Sequence, residues 1–225
     1  MRLLDTAFSF LEVKIMNDKK LYGDKQCEKP CGHKRGSSSY RMQEPGLVFD
    51  NLELTVGDCF LDIGCGPGDY TIRASEIVGN SGVVYALDVS QAMIDEVRKK
   101  TARKGVKNVR AIACDVTRLL PIENDFVDVC LMATVLHIPV VTGNVRALFA
   151  EVRRVLKPGG HFVIIECKKD NMCFGPPQEM RLSPKEIEAF TKPHGFKKTA
   201  LIDLGYNYLI NFVAKQARKG WRPVP

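Results

Sequence analysis

Three glycines at alternate positions, Gly64, Gly66 and Gly68, stand in the run Phe60-Leu61-Asp62-Ile63-Gly64-Cys65-Gly66-Pro67-Gly68. Glycines at this spacing let a backbone turn tightly and come close to a ligand. Acids fall at the ends of three successive apolar runs: Asp62 here, Asp88 closing VVYALD, and Asp115 in ACDV. The carboxylate of Asp88 suits a two-oxygen grip on ribose hydroxyls, and that of Asp115 suits an adenine amino group. Asp62 is placed to accept from an ammonium group or to hold the loop. A dinucleotide fingerprint would read G-x-G-x-x-G, but Asp69 occupies its last position, where a pyrophosphate would have to sit on the helix N-terminus. An adenosyl ligand with a cationic sulfonium and an ammonium group meets no such conflict.

These residues need strands that end together at one edge of a sheet. Asp58 to Ile63, Val83 to Leu87, Val109 to Cys114, Val127 to Met132 and His161 to Glu166 are short apolar runs that read as buried strands. Helical spacing separates several of them: Asp69 to Val78, a segment capped by Ser90 and stopping before Gly105, and Val145 to Leu156, ended by Pro158-Gly159-Gly160. Ser183 and Pro184 open a further helix, and Lys198 to Leu204 with Asn207 to Ala214 form a hairpin turning at Gly205. Alternation of continuous apolar strands with helices implies a mostly parallel sheet covered on both faces. The expected fold is therefore α/β, a three-layer α/β/α sandwich with an antiparallel C-terminal hairpin. Residues 45–225 form this domain, and residues 1–44 form an N-terminal extension and lid-like arm.

FLDIGCGPGDYT, VVYALDVS, ACDVTRLLPIENDFVDVCLMATVLHI and LFAEVRRVLKPGGHFVIIE resemble, in order and spacing, the successive motifs of the class I S-adenosylmethionine-dependent methyltransferases. The resemblance covers residues 45 to about 214. It implies a Rossmann-like, seven-stranded sheet of order 3-2-1-4-5-7-6 and S-adenosylmethionine as cofactor. It also implies that Gly64, Cys65, Gly66, Pro67 and Gly68, with Asp62, line the methionine part. Asp88 would hold the ribose, and Val89 and Met93 would flank the adenine. Cys114, Asp115 and Val116 would surround the adenine edge, and Ala133 and His137 would border the methyl group. Tyr40, Arg41 and Met42 fall where many relatives carry a lid. The nearest subgroup includes quinone-biosynthesis and arsenite methyltransferases. This chain has Thr134 where arsenite enzymes usually carry cysteine, and GPPQEMRLSPKEIEAF is a string common among relatives that modify small molecules.

Methyl transfer is an in-line displacement that depends on orientation and electrostatics, and a phenol or amine acceptor benefits from a nearby base. His137 is the candidate base. Glu166, ending the fifth strand, is the candidate for orienting a substrate, and Tyr40 is a candidate pocket residue. His161 reads as structural or exposed. Cys27, Cys31 and His33 invite a soft-metal reading, but no second cluster with metal spacing accompanies them, although Cys167 and Cys173 could join in space. An arm with incidental thiols and no metal site is expected. Cys59, Cys65, Cys114 and Cys130 read as packing residues.

The net charge of +7 is partly gathered at Arg98, Lys99, Lys100, Arg103, Lys104, Lys107 and Arg110. A solvated helix face is the expected reading, because no aromatics are interleaved for stacking on single strands. No apolar run reaches the roughly 18 residues needed to cross a bilayer. Asp5 and Glu12 interrupt the leading apolar stretch, so a signal peptide is not expected, and Met16 is an alternative start. The cytoplasm is the expected compartment, with the eight cysteines as free thiols. The leading expectation is a methyltransferase acting on a small molecule such as a thiol, metalloid or quinol. The alternatives are an RNA or protein methyltransferase, a non-catalytic cofactor-binding partner protein, and, weakest, a nicotinamide oxidoreductase. Homo-oligomerisation stays open.

Overall fold

The computed structural model describes residues 38–170 and 175–215. A seven-stranded sheet runs in the order β3-β2-β1-β4-β5-β7-β6, with β1 Cys59–Ile63, β2 Val83–Asp88, β3 Val109–Ala113, β4 Val127–Ala133, β5 Leu156–Cys167, β6 Phe196–Leu204 and β7 Asn207–Ala214. The first five strands pair in parallel, and β7 pairs antiparallel with both β5 and β6. This is the sandwich with a closing hairpin that the alternation of runs implied. The helices are α1 Pro45–Asp50, α2 Asp69–Val78, α3 Gln91–Lys104, α4 Pro139–Gly143, α5 Val145–Val155 and α6 Pro184–Thr191.

Because successive strand residues point to opposite faces, each central strand feeds two cores. Leu61, Ile63, Cys130, Met132, Phe162 and Ile164 meet α5 and α6 on one face. Phe60, Val129, Leu131, Val163 and Ile165 meet α1 and α2 on the other. Ile94 and Val97 of α3 pack on Ala86 and Cys65. The sheet order reverses direction between β1 and β4, so the loops leaving these two strands diverge. Open α/β sheets bind ligands in that crevice.

Three local expectations are corrected. Ser90 does not cap α3 with its side chain; Asp88 Oδ1 accepts from the Ser90 N–H instead, at 2.8 Å. Pro158-Gly159-Gly160 does not separate α5 from β5. Leu156 already pairs with Val127 and His161 with Val129, so these residues form a bulge inside the strand. Residues 38–44, read as arm, pack on the domain: a 3₁₀ turn Ser39–Met42 precedes α1, and Gln43 is buried. Gln43 Oε1 accepts from Asn207 Nδ2 at 2.7 Å, and Gln43 Nε2 donates to the Tyr70 hydroxyl. The candidates Cys27, Cys31, His33 and Cys173 lie outside the described residues.

Phe162 is fully buried, with Phe149 edge-on at a 5.2 Å ring separation and Phe196 at 5.2 Å. Phe162→Ala should lower unfolding free energy by about 3–5 kcal/mol, as buried aromatic truncations do, measured by urea denaturation. A loss under about 1 kcal/mol would contradict this packing.

Candidate active site

A cleft of about 410 Å³ opens at the carboxyl ends of β1, β2 and β4. Its floor is the glycine loop. Gly64 and Cys65 both donate their N–H groups to the Leu87 carbonyl, at 2.8 and 2.9 Å, which ties the end of β1 to β2. Gly64 has φ +70°, and a Cβ there would lie 2.3 Å from Val135 Cγ2. This position needs glycine both for its backbone and for the close approach of the β4 loop. Gly66 differs: its φ is +51°, and a Cβ would meet nothing within 4 Å. That open space faces a cleft which a ligand can use. Gly68, at φ +81°, opens α2 and meets Val97 of α3, so it packs helices and does not line the cleft.

Asp88 lines the cleft with both oxygens engaged from one side. Oδ2 accepts from Gly66 N–H at 2.9 Å and Oδ1 from Ser90 N–H at 2.8 Å. A carboxylate has roughly four acceptor sites, so the remaining lone pairs stay available to paired hydroxyls. Asp115 also lines the cleft, two residues past β3. Its Oδ1 accepts from the Thr117 N–H and hydroxyl at 3.0 and 2.7 Å, which aims the carboxylate and, together with Arg118, holds it below the ordinary range. Cys65, Pro67, Val89, Met93, Val116 and Ala133 complete the part of the lining that the sequence anticipated.

Asp62 is buried away from the cleft, and its Oδ2 accepts from the Thr71 hydroxyl of α2 at 2.6 Å. It is the loop-holding role, not direct ligand contact, that this geometry provides. Burial pushes its carboxyl up to about 7, against the opposing Thr71 hydrogen bond and with help from neighbouring Asp88. Cys114 is also absent from the lining; its N–H bonds the Asp88 carbonyl at 2.9 Å. Burial raises the thiols of Cys65 and Cys114, so neither is poised as a thiolate.

The expected roles of Glu166, His137 and Tyr40 are revised by their surroundings. Glu166 is fully buried. Its Oε1 accepts from the N–H groups of Leu136 and His137 at 2.7 and 3.3 Å, and its Oε2 lies 2.8 Å from His137 Nδ1. All these donors belong to the loop after β4, so Glu166 clamps that loop and is not among the cleft-lining residues. The His137 ring turns its Nδ1 to Glu166 and is not among the lining residues of the cleft. Tyr40 packs edge-on against Tyr70 at 5.0 Å, and it is Tyr70, with Ser38 and Ser39, that reaches the cleft.

Sequence reasoning missed the wall itself. Thr134, Val135, Ile138, Val140 and Val141 line the cleft after β4, the last two from α4. Apolar residues in a connecting segment look like core in a sequence, and nothing in their spacing marks them as facing a cavity. Thr134 has φ +56°, an uncommon conformation for a β-branched residue. Such strain is held only where surrounding structure dictates it, and here the Glu166 clamp follows two residues later.

Two sets of outcomes follow from this geometry. Gly64→Ala should destabilise the fold by about 1–3 kcal/mol, the usual range for overpacking, as read by thermal melting. Gly66→Ala should melt closer to the parent but bind S-adenosylhomocysteine at least about tenfold more weakly by calorimetry, one tenfold step being about 1.4 kcal/mol. Equal behaviour of the two variants would contradict the assignment. For Asp62, the folded pKa lies above its ordinary 3.8, so the folded state favours the neutral acid. That contribution is complete below pH 4 and is lost as pH rises through 7. Asp62→Asn should therefore gain stability relative to the parent progressively from pH 4 to 7 in urea titrations. A difference independent of pH would show that Asp62 is not buried as an acid.

Residues 60–160 match the family described as methyltransferase domain. The chain is 38% identical over 114 residues to the ubiquinone/menaquinone biosynthesis C-methyltransferase UbiE of Marinomonas sp. strain MWYL1, covering 50% of this chain and 44% of that protein. It is 31% identical over 125 residues to the demethylmenaquinone methyltransferase of Staphylococcus epidermidis, covering 56% and 49%. The chain thus spans about half the length of the curated relatives it matches. A crystal structure of a SAM dependent methyltransferase from Aquifex aeolicus superposes with a TM-score of 0.72 at 28% identity, covering 80% of this chain and 94% of that one. The 3-2-1-4-5-7-6 sheet and the glycine floor of this chain are thus similar to those of S-adenosylmethionine-dependent methyltransferases, with quinone methyltransferases among the proteins it resembles.

Proposed function

We propose that the chain transfers a methyl group from S-adenosylmethionine to a small-molecule acceptor. The observation that carries this reading is the cleft itself: open space at Gly66 beside the Asp88 carboxylate, facing the Ala133–Val135 wall, with Asp88 and Asp115 as its charged lining residues. The cofactor supplies an electrophilic methyl on a cationic sulfur. Asp88 accepts hydrogen bonds from the ribose, and Asp115 takes the adenine amino group. Val89, Met93 and Val116 would supply the apolar surface for the base. Two carboxylates without a described lining cation suit a ligand of positive charge. Tyr70 and the 38–39 turn close one side, excluding water where the acceptor enters.

Glu166 and His137 serve this site as positioning residues. The buried carboxylate holds the turn that carries Thr134 and Val135 against the cofactor floor, and His137 completes its hydrogen bonding. Orientation of the acceptor for in-line attack therefore depends on them.

The basic stretch gives the RNA reading little support. Lys100 pairs with Asp69 at 2.8 Å, Lys104 with Glu76 at 3.3 Å, and Arg98 with Asp95 and the Ala111 carbonyl. Among the described residues no helix is long and apolar enough to cross a membrane. We place the activity in the cytoplasm, a reading supported by the free thiols of Cys59, Cys65, Cys114, Cys130 and Cys167.

The decisive experiment transfers radiolabelled methyl from S-adenosylmethionine into a host extract separated by size. Label in the small-molecule fraction is expected, and label in RNA or protein would overturn the acceptor class. On the labelled compound, Glu166→Gln should lower kcat by about tenfold or more with little change in S-adenosylhomocysteine affinity, because misplaced reacting groups cost rate. Unchanged kcat would remove Glu166 from any role in the reaction.

A further inference from the structure

The described residues include eight exposed large apolar side chains, and three of them, Val89, Ile138 and Val140, line the cleft just described. Val140 is 61% exposed and Ile138 39%. Apolar groups gathered at a cleft mouth mark a binding surface, whereas scattered ones do not. Val89 adjoins Asp88 and falls on the cofactor side. Ile138 and Val140 lie on the opposite side, at and just inside the start of α4 Pro139–Gly143. Val141, Val135 and Ala133 continue the same wall inward. α4 is held rigidly enough to present them: the Thr142 hydroxyl bonds the Leu136 carbonyl, and the Leu136 N–H is anchored on Glu166.

The polar groups of the lining are one-sided in charge. Asp88 and Asp115 are its acids, the other polar groups are hydroxyls of serine, threonine and tyrosine, and no lysine, arginine or histidine lines the cleft among the described residues. The Thr134 hydroxyl is already committed as donor to the Ala133 carbonyl at 2.7 Å, so toward a ligand it acts as an acceptor. Asp115 is paired with the largely exposed Arg118 at 3.4 Å, but Arg118 is not a lining residue and Asp88 has no ion pair among the described residues. A phosphate, sulfonate or carboxylate in this space would therefore be desolvated beside two carboxylates with no cation of the lining to meet it.

We infer that the α4 wall of the cleft, built from Ile138, Val140 and Val141, is the acceptor subsite, and that it selects an uncharged, largely apolar molecule over an anionic one of the same shape. The inference rests on the small-molecule reading above and adds to it the substrate's charge class. It also assigns specificity to Val140, whose side chain is exposed and free to change without opening the core.

The test uses a matched pair of fluorescent probes, N-phenyl-1-naphthylamine and 1-anilinonaphthalene-8-sulfonate, which differ by one sulfonate. Each is titrated into the full chain with and without S-adenosylhomocysteine. The neutral probe is expected to bind at least about tenfold more tightly in both conditions, a factor equivalent to about 1.4 kcal/mol. Val140→Lys should weaken the neutral probe and strengthen the anionic one, reversing or erasing the preference, while Val140→Ile leaves it in place. Equal or tighter binding of the sulfonate by the parent chain would overturn the inference, and so would a preference untouched by Val140→Lys. Calorimetry with S-adenosylhomocysteine reports on the methyltransferase reading separately: loss of cofactor binding sinks that reading, whereas the probe preference judges the wall in either condition.

Discussion

Everything at this site depends on one junction, where the loop leaving β1 is hydrogen-bonded to the end of β2. The Leu87 carbonyl accepts two successive N–H groups, those of Gly64 and Cys65, and the Asp88 carboxylate accepts the next available one from Gly66. These bonds satisfy a turn that would otherwise bury unpaired backbone groups at the centre of the molecule. They also hold the Asp88 carboxylate at a fixed distance from the glycine floor. The same acid then caps the entry to α3 through Ser90. A single side chain thus sets the loop, the helix and the ligand-facing oxygens, which makes the site preorganised before any ligand arrives.

The opposite wall is built by a different device. Glu166 is fully buried, and an ionised carboxylate in that position would be costly without donors. It has three, all from Leu136 and His137. Desolvation makes these bonds strong and makes any alternative placement of the loop expensive. Thr134 can be kept in a left-handed conformation because the chain beyond it is tethered. The histidine, a residue type suited to proton transfer, instead completes the carboxylate's hydrogen bonding.

Electrostatics joins the two halves. Asp62, Asp88 and Asp115 come from successive strand ends, and the nearby Asp69 is balanced by Lys100. Arg118 pairs with Asp115 from outside the cleft, and no cation is among the described lining residues, so the cleft favours ligands of positive or neutral character. The fold alone does not decide this, since the same sheet carries many activities and the site must be argued from its own groups.

How much of this was legible in the chain differs from feature to feature. The strands, most helices and the sheet order followed from local pattern and motif resemblance. Apolar runs ended by glycine or acid are a one-dimensional signal, and Gly64, Gly66, Asp88 and Asp115 carry their meaning in their own spacing. The hairpin was readable because Gly205 stands between two strand-like runs with no helix to separate them. Only the tertiary structure decided which side chains face the cleft. His137, Glu166 and Asp62 sit beside lining residues in sequence yet turn away, because partners distant in the chain satisfy them: His137 and Glu166 are 29 residues apart, and Thr71 is drawn to Asp62 by α2 packing. Gln43 and Asn207, 164 residues apart, meet behind Tyr70 and fold the residues before α1 onto the site. The apolar wall of α4 was hidden for the same reason, since a valine that lines a cavity and one that fills a core are the same letter until packing separates them.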